Sequence, residues 1–262
     1  MRIPVLLLAA ACLSPRVAAA QQLLVPMDRT QSDHLRAYGL TYWTLEQGAG
    51  AEWLLNYRDG AFLLPDLEGV RREAALRGVT VEPVSASDVA AIRGVIAESN
   101  METVVLEKAP VIAIYTPPNS APWDDAVTMA LEYAGIEYET IWDREVMGGD
   151  LSRYEWLHLH HEDFTGQYSK FYLGYAGADW LREEVERNEE AARDLGFATV
   201  PDLKKAVADR IRTYVEGGGF LFAMCSATET LELALAARGV DIAAAFSDGT
   251  PPDPDATERM DW

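Results

Sequence analysis

Two short stretches hold the side chains best suited to chemistry. One is "GGGFLFAMCSATETLELAL", residues 217–235, in which Cys225 ends an apolar run and precedes small residues and a helical pattern. The other is "HLHHED", residues 158–163, where His158, His160 and His161 are followed by Glu162 and Asp163. A thiol attacks as its thiolate, so it needs a base to form that thiolate and donors to hold the oxyanion that results. At a helix start the positive helix end lowers a thiol pKa, and the backbone N–H groups of Ser226 and Ala227 stand where such donors are needed. No histidine follows Cys225 in the chain. The base is then expected to be His161 or His160, with Glu162 or Asp163 orienting the ring, or to lie in a segment beyond Trp262. The competing reading makes Cys225 a small apolar residue of a core.

The spacing of "HLHHED" also admits a metal. His158 and His160 share one face of a strand, and Glu162 or Asp163 would complete a nitrogen–oxygen set of the kind zinc accepts. His158 lies deep in the strand, however, and hydrogen bonding at a strand end accounts for the same residues, so neither a metal nor a cofactor is expected. Asp124 and Asp125 open a helix after "PPNSAPW", where acidic residues ordinarily serve as cap and dipole partners. Their place beside the reactive stretches keeps them, with Asp163 and Ser226, as candidate ligand-binding residues. Trp123, Tyr168 and Phe171 would either line a pocket or pack.

These residues need elements to position them. Two segments share a β-loop-α-β layout, "QQLLVPMDRTQSDHLRAYGLTYWTLEQGAGAEWLLNY" and "APVIAIYTPPNSAPWDDAVTMALEYAGIEYETIW". Apolar spacing puts Leu35, Tyr38, Tyr42 and Leu45 on one helical face in the first, and Ala126, Met129, Ala130 and Tyr133 in the second. Between them "WLLNYRDGAFLLP" reads as a β-hairpin turning at Arg58-Asp59-Gly60. Further helices are expected over 67–77, from Ser85 or Ser87 to about Ser99, over 179–195, from Pro201 to Val215 and over 228–237. Strands are expected at "VTVEPV", at "YEWLHLHH" and over 220–224. Alternating strands and helices specify an α/β fold, a parallel sheet with helices on both faces. Right-handed crossovers bring the strand C-terminal ends to one edge. In a flavodoxin-like order the strand ending at His160 and His161 neighbours the one ending at Cys225.

Composition bounds the partners. The 262 residues are 49% apolar, enough to bury a core, and carry a formal charge of -20 with a pI near 4.5. That balance excludes binding nucleic acid through its phosphates, which takes clustered Lys and Arg, and excludes docking on anionic lipid. A small-molecule ligand is the expected partner; oligomeric state is left open. Residues 1–20, "MRIPVLLLAAACLSPRVAAA", read as a signal peptide cleaved before Gln21, directing the chain to the periplasm or outside the cell. A lipoprotein anchor at Cys12 is the less favoured alternative. Cleavage leaves Cys225 as the single cysteine, and no other segment is long enough for membrane insertion.

The stretch "GGGFLFAMCSATETLE" resembles the nucleophile turn of class I glutamine amidotransferase-like folds, with Ala223 and Ala227 where that pattern usually has glycine. Together with "VPMDRTQSDHLRAYGLTYW", "EWLLNYRDG", "APWDDAVT" and "YEWLHLHHEDFTGQY", it makes the chain from Gln21 to Trp262 look like an exported bacterial family labelled "asparagine synthetase B". The resemblance implies an N-terminal α/β segment with a β-hairpin over 21–107. It implies a class I glutamine amidotransferase-like domain over 108–262, cut short at its C-terminus because members of the family are longer. It also implies Cys/His acyl transfer or hydrolysis on a small amide. The synthetase activity of the label does not carry over, since the chain has no S-G-G-x-D loop and no N-terminal cysteine after cleavage before Gln21. A module that keeps the fold without the chemistry is the alternative.

Overall fold

The computed structural model describes residues 21–118, 120, 125–168 and 171–262, without the side chain of Phe171. The signal segment with Cys12, and Trp123 and Asp124, lie outside the described residues. The chain divides into two compact units, Met1–Lys108 and Ala109–Trp262.

The first unit runs β1 (Gln22–Val25), α1 (His34–Glu46), β2 (Ala51–Leu55), β3 (Phe62–Pro65), α2 (Glu68–Arg77), β4 (Glu82–Val84), α3 (Ala86–Glu98) and β5 (Glu102–Leu106). Its sheet has the order β4-β1-β3-β2-β5, and every neighbouring pair is antiparallel. The parallel sheet expected here is therefore corrected. The hairpin is the reason: β3 folds straight back and lies between β1 and β2, giving the order of a split β-α-β motif with β5 added. The turn is built by Asn56, Arg58, Asp59 and Gly60, all at positive φ. Arg58 is held in that conformation by Asp28, 2.6 Å from its Nε, and by Glu82, 2.8 Å from Nη1. Ser85 and Asp88 form the capping box that starts α3, and Val89, Ile92 and Ile96 pack on Leu24, Leu54 and Leu63.

The second unit runs β6 (Ile112–Tyr115), α4 (Ala126–Ala134), β7 (Glu139–Ile141), α5 (Asp143–Gly148), β8 (Trp156–Leu159), α6 (Phe171–Tyr175), α7 (Asp179–Asp194), α8 (Val200–Glu216), β9 (Phe220–Ala223) and α9 (Ser226–Ala236), followed by two short helices, α10 (Ala245–Asp248) and α11 (Ala256–Arg259). Its sheet is wholly parallel in the order β7-β6-β8-β9. Leu157, Leu159, Leu221 and Ala223 face a core made with Val207 and Ile211 of α8 and Leu231 and Ala234 of α9. His158 and Phe222 alternate to the other face, where Asp125 at the start of α4 meets His158.

Both helical faces read from apolar spacing are turned by part of a turn. In α1 the buried residues are Ala37, Leu40, Thr41, Thr44 and Leu45, while Leu35 and Tyr38 are exposed; in α4 they are Thr128, Leu131 and Ala134, with Met129 and Tyr133 exposed. Small polar threonines are easily buried when their hydroxyls return to the helix, as Thr41 and Thr44 do to Ala37 and Leu40. Glycine is required at two places near the site. A Cβ on Gly166, at φ +71°, would lie 2.7 Å from Pro201 N, so the loop after β8 rests on the first turn of α8; one on Gly219 would lie 2.2 Å from the Tyr214 ring. Among the described residues no helix is long and apolar enough to cross a membrane.

Candidate functional site

The register Leu159↔Ala223 places the ends of β8 and β9 side by side. The chain beyond each strand is then stitched to the other. Met224 N–H donates to Leu159 O (2.9 Å), Ala227 N–H to His160 O (3.1 Å), the Ser226 hydroxyl to His161 O (2.9 Å) and the Thr230 hydroxyl to Glu162 O (2.7 Å). Cys225 sits between β9 and α9 at φ 50°, ψ −135°, with its side chain exposed. For a residue with a Cβ this is a strained conformation, of the sort that a sharp strand-to-helix turn imposes on a nucleophile. One ligand-type atom from each of His160, His161 and Cys225 falls within 4.8 Å of the other two. The His160 and His161 rings are 3.7 Å apart, centre to centre. Cys225 is thus exposed at a turn, which removes the reading of a buried core thiol.

The carboxylates are arranged differently from the expectation. Among the described residues, Asp125 lies at the imidazoles: its Oδ2 is 2.8 Å from His158 Nε2 and its Oδ1 3.4 Å from His160 Nδ1. It also caps α4 by accepting the Val127 N–H at 2.8 Å. Burial raises the Asp125 carboxyl, but the Val127 N–H and the His158 and His160 imidazoles outweigh that, and its pKa is lowered. His158 is fully buried, with Nδ1 3.0 Å from Phe222 O and Nε2 on Asp125. Its two nitrogens thus contact Phe222 O on one side and the Asp125 carboxylate on the other. His158 therefore anchors Asp125, as hydrogen bonding rather than metal ligation would have it.

Glu162 accepts the main-chain N–H of His160 at 2.8 Å, a bond to the backbone where the sequence suggested an orienting bond to a ring. Burial pushes its carboxyl up to about 7, against the opposing pull of the His160 N–H and Lys204. Asp163 closes a local turn by accepting the Thr165 N–H at 2.9 Å and the Thr165 hydroxyl at 2.5 Å. Of the two N–H groups expected as oxyanion donors, that of Ala227 is engaged by His160 O; the Ser226 side chain separately donates its hydroxyl to His161 O.

A cavity of about 690 Å³ opens beside the imidazoles, lined among others by Thr116, Asp125, His160, His161, Glu162 and Tyr168. It lies outside the carboxyl ends of β6 and β8, where strand order reverses direction, the usual ligand crevice of an open parallel sheet. Cys225 is not among the described residues lining it.

One further feature was not foreseen. Lys204 of α8 is buried with its Nζ 2.8 and 3.0 Å from the two oxygens of Asp143 and 3.2 Å from the Tyr115 hydroxyl, which itself donates to Asp143. The ammonium stands 3.8 Å from the centre of the Trp142 ring. Burial lowers the Lys204 pKa against the pull of Asp143, and burial with the Asp143 charge raises the Tyr115 phenol. Lys204, Tyr115 and Trp142 all line the cavity. The signal was present in the sequence: Lys204 falls within the stripe Val200, Leu203, Val207 and Ile211, a cation in the apolar face of a helix.

No protein-family model matches the chain, and neither a curated protein nor a solved structure shows significant similarity to it.

Proposed function

We propose that the second unit is a class I glutamine amidotransferase-like domain that hydrolyses a small amide-type substrate through Cys225 and an adjacent histidine. The order β7-β6-β8-β9 is compatible with a flavodoxin-like arrangement, first strand flanked by the second and third. The observation that carries the reading is the strained, exposed Cys225 at the β9–α9 turn with His160 and His161 within reach. In this reading an imidazole takes the thiol proton, the thiolate attacks the amide carbon, and the imidazolium returns the proton to the leaving amine. Water then cleaves the acyl-thioester. Asp125, 3.4 Å from His160 Nδ1, is the carboxylate placed to orient that ring, the role that the sequence gave to Glu162 or Asp163.

The test is alkylation of Cys225 in the metal-free protein as a function of pH, with His160→Ala and His161→Ala in parallel. The expected result is a thiol that reacts well below pH 8 and loses that reactivity in one histidine variant. A thiol that reacts only as an ordinary one, unchanged in both variants, overturns the reading. The second reading, a ligand-binding module without chemistry, is favoured by one observation: the cavity is lined by the imidazoles and not by Cys225. Under it, ligands occupy the cavity with equal affinity in Cys225→Ala and no amide is hydrolysed.

A further inference from the structure

We propose that His160, His161 and Cys225 form a binding site for a zinc-class divalent cation, with one coordination position left open. Each supplies one atom, two imidazole nitrogens and a sulfur, and these lie within 4.8 Å of one another. Ligands held about 2.0–2.3 Å from a tetrahedral centre are about 3.3–3.8 Å apart. Side-chain torsions on a fixed backbone close that difference, and the backbone here is fixed. His160 and His161 are tied to α9 through Ala227 and Ser226, and Cys225 is held between β9 and α9.

One observation besides the cluster points to a cation. A metal-bound imidazole commonly gives its other ring N–H to a carboxylate, which fixes the ring and raises its basicity. Asp125 stands at 3.4 Å from Nδ1 of His160, itself anchored by the fully buried His158. The donor set is also selective. Two imidazoles and one thiolate suit zinc and its borderline neighbours, and reject magnesium and calcium, which take oxygen. The site differs from the one that spacing suggested. His158 is withdrawn into the sheet as the anchor of Asp125, and its place is taken by His161 and by a cysteine sixty-four residues on from it.

Binding replaces the thiol proton with the metal and releases that proton to solvent; no electron is transferred. The site stands whether or not Cys225 is a nucleophile. Where it is one, the cation occupies the sulfur lone pair and the base together, so the same ion that binds would hold the enzyme silent until it is removed.

Cobalt(II) titrated into the chelator-treated full chain is the test, because a thiolate ligand to cobalt gives a charge-transfer band and tetrahedral geometry gives strong visible bands. The expected result is saturation at one equivalent, displacement by Zn²⁺, and loss of the charge-transfer band in Cys225→Ser. Asp125→Asn is expected to weaken binding about 10–100-fold while leaving the band in place. Absence of the band, or the same band in Cys225→Ser, overturns the site. The alkylation of metal-free protein is read separately. A thiol that reacts well below pH 8 in a protein showing no cobalt band removes the metal site and leaves the hydrolase standing.

Discussion

Cys225 is held at φ 50°, ψ −135°, where a Cβ is a liability. Strain of this kind amounts to about 1–3 kcal/mol, and glycine would release it. Cys225→Gly should therefore unfold at higher denaturant than Cys225→Ala, by about 1 kcal/mol or more, while both lose thiol chemistry. Equal stability of the two would show that the turn is unstrained. Glu162 offers a second measurement at this scale. Its carboxyl is raised from 4.5 to about 7 by burial, so the folded chain favours the neutral acid. The sign follows from linkage: this group's contribution is fully present below about pH 4.5 and is lost as pH rises through 7. At about 1.4 kcal/mol per pKa unit the loss is at most about 3.5 kcal/mol. With a chelator present, Glu162→Gln should stabilise the protein at pH 8 and change little at pH 5, as read by thermal unfolding at both values.

The parallel ladder of β8 and β9 carries the reactive edge, and α8 seals the floor beneath the cavity. Lys204 on α8 and Asp143 at the start of α5 form a buried pair, so removing one partner strands the other's charge. Lys204→Met should cost about 3–5 kcal/mol in urea unfolding, and the double variant Lys204→Met with Asp143→Leu should recover a large part of it. A loss no greater than about 1 kcal/mol would show that the pair is open to water. This scale also shows what the sequence made legible. The hairpin, the helix starting near Ser85, the helix 200–216 and the strand before Cys225 were readable because each has punctuation of its own: Asp-Gly, a capping serine, Pro201 in the first turn, and the run of glycines; helix 179–194 was legible from its highly charged run. The antiparallel order of the first sheet was not, because strand direction depends on which partner β3 finds, and periodicity carries no such information. Asp125 was visible as a helix cap, but its second role arises only when β8 brings His158 beneath it, 33 residues away in sequence. Lys204 was overlooked because its partner Asp143 lies 61 residues away.

At the scale of the molecule, each unit has an apolar core of its own, and the strands β5 and β6 on either side of the boundary belong to different sheets. The residues between them include exposed Glu107, Lys108 and Val111. Brief digestion with trypsin should cut first after Lys108, giving one fragment that ends at Lys108 and one that begins at Ala109, identified by mass spectrometry. First cleavage within α7, at exposed Arg182 or Arg193, would show that helix to be the weaker segment. The formal charge of -20 acts here too. A strongly acidic surface raises the local concentration of cations and repels anions, an effect that fades as salt screens it.

The ladder between β8 and β9 has a consequence for descent. Imidazoles and thiol hang from adjacent rungs whose spacing is set by main-chain bonds, Met224 to Leu159 and Ala227 to His160, with the hydroxyls of Ser226 and Thr230 joining them. Beyond the imidazoles, the cavity rim is drawn from loop residues such as Thr116, Pro117, Gly166 and Tyr168. Rim and rungs can then change independently. A lineage could exchange its loops, and with them its choice of ligand, while handing down the same reactive pair unaltered.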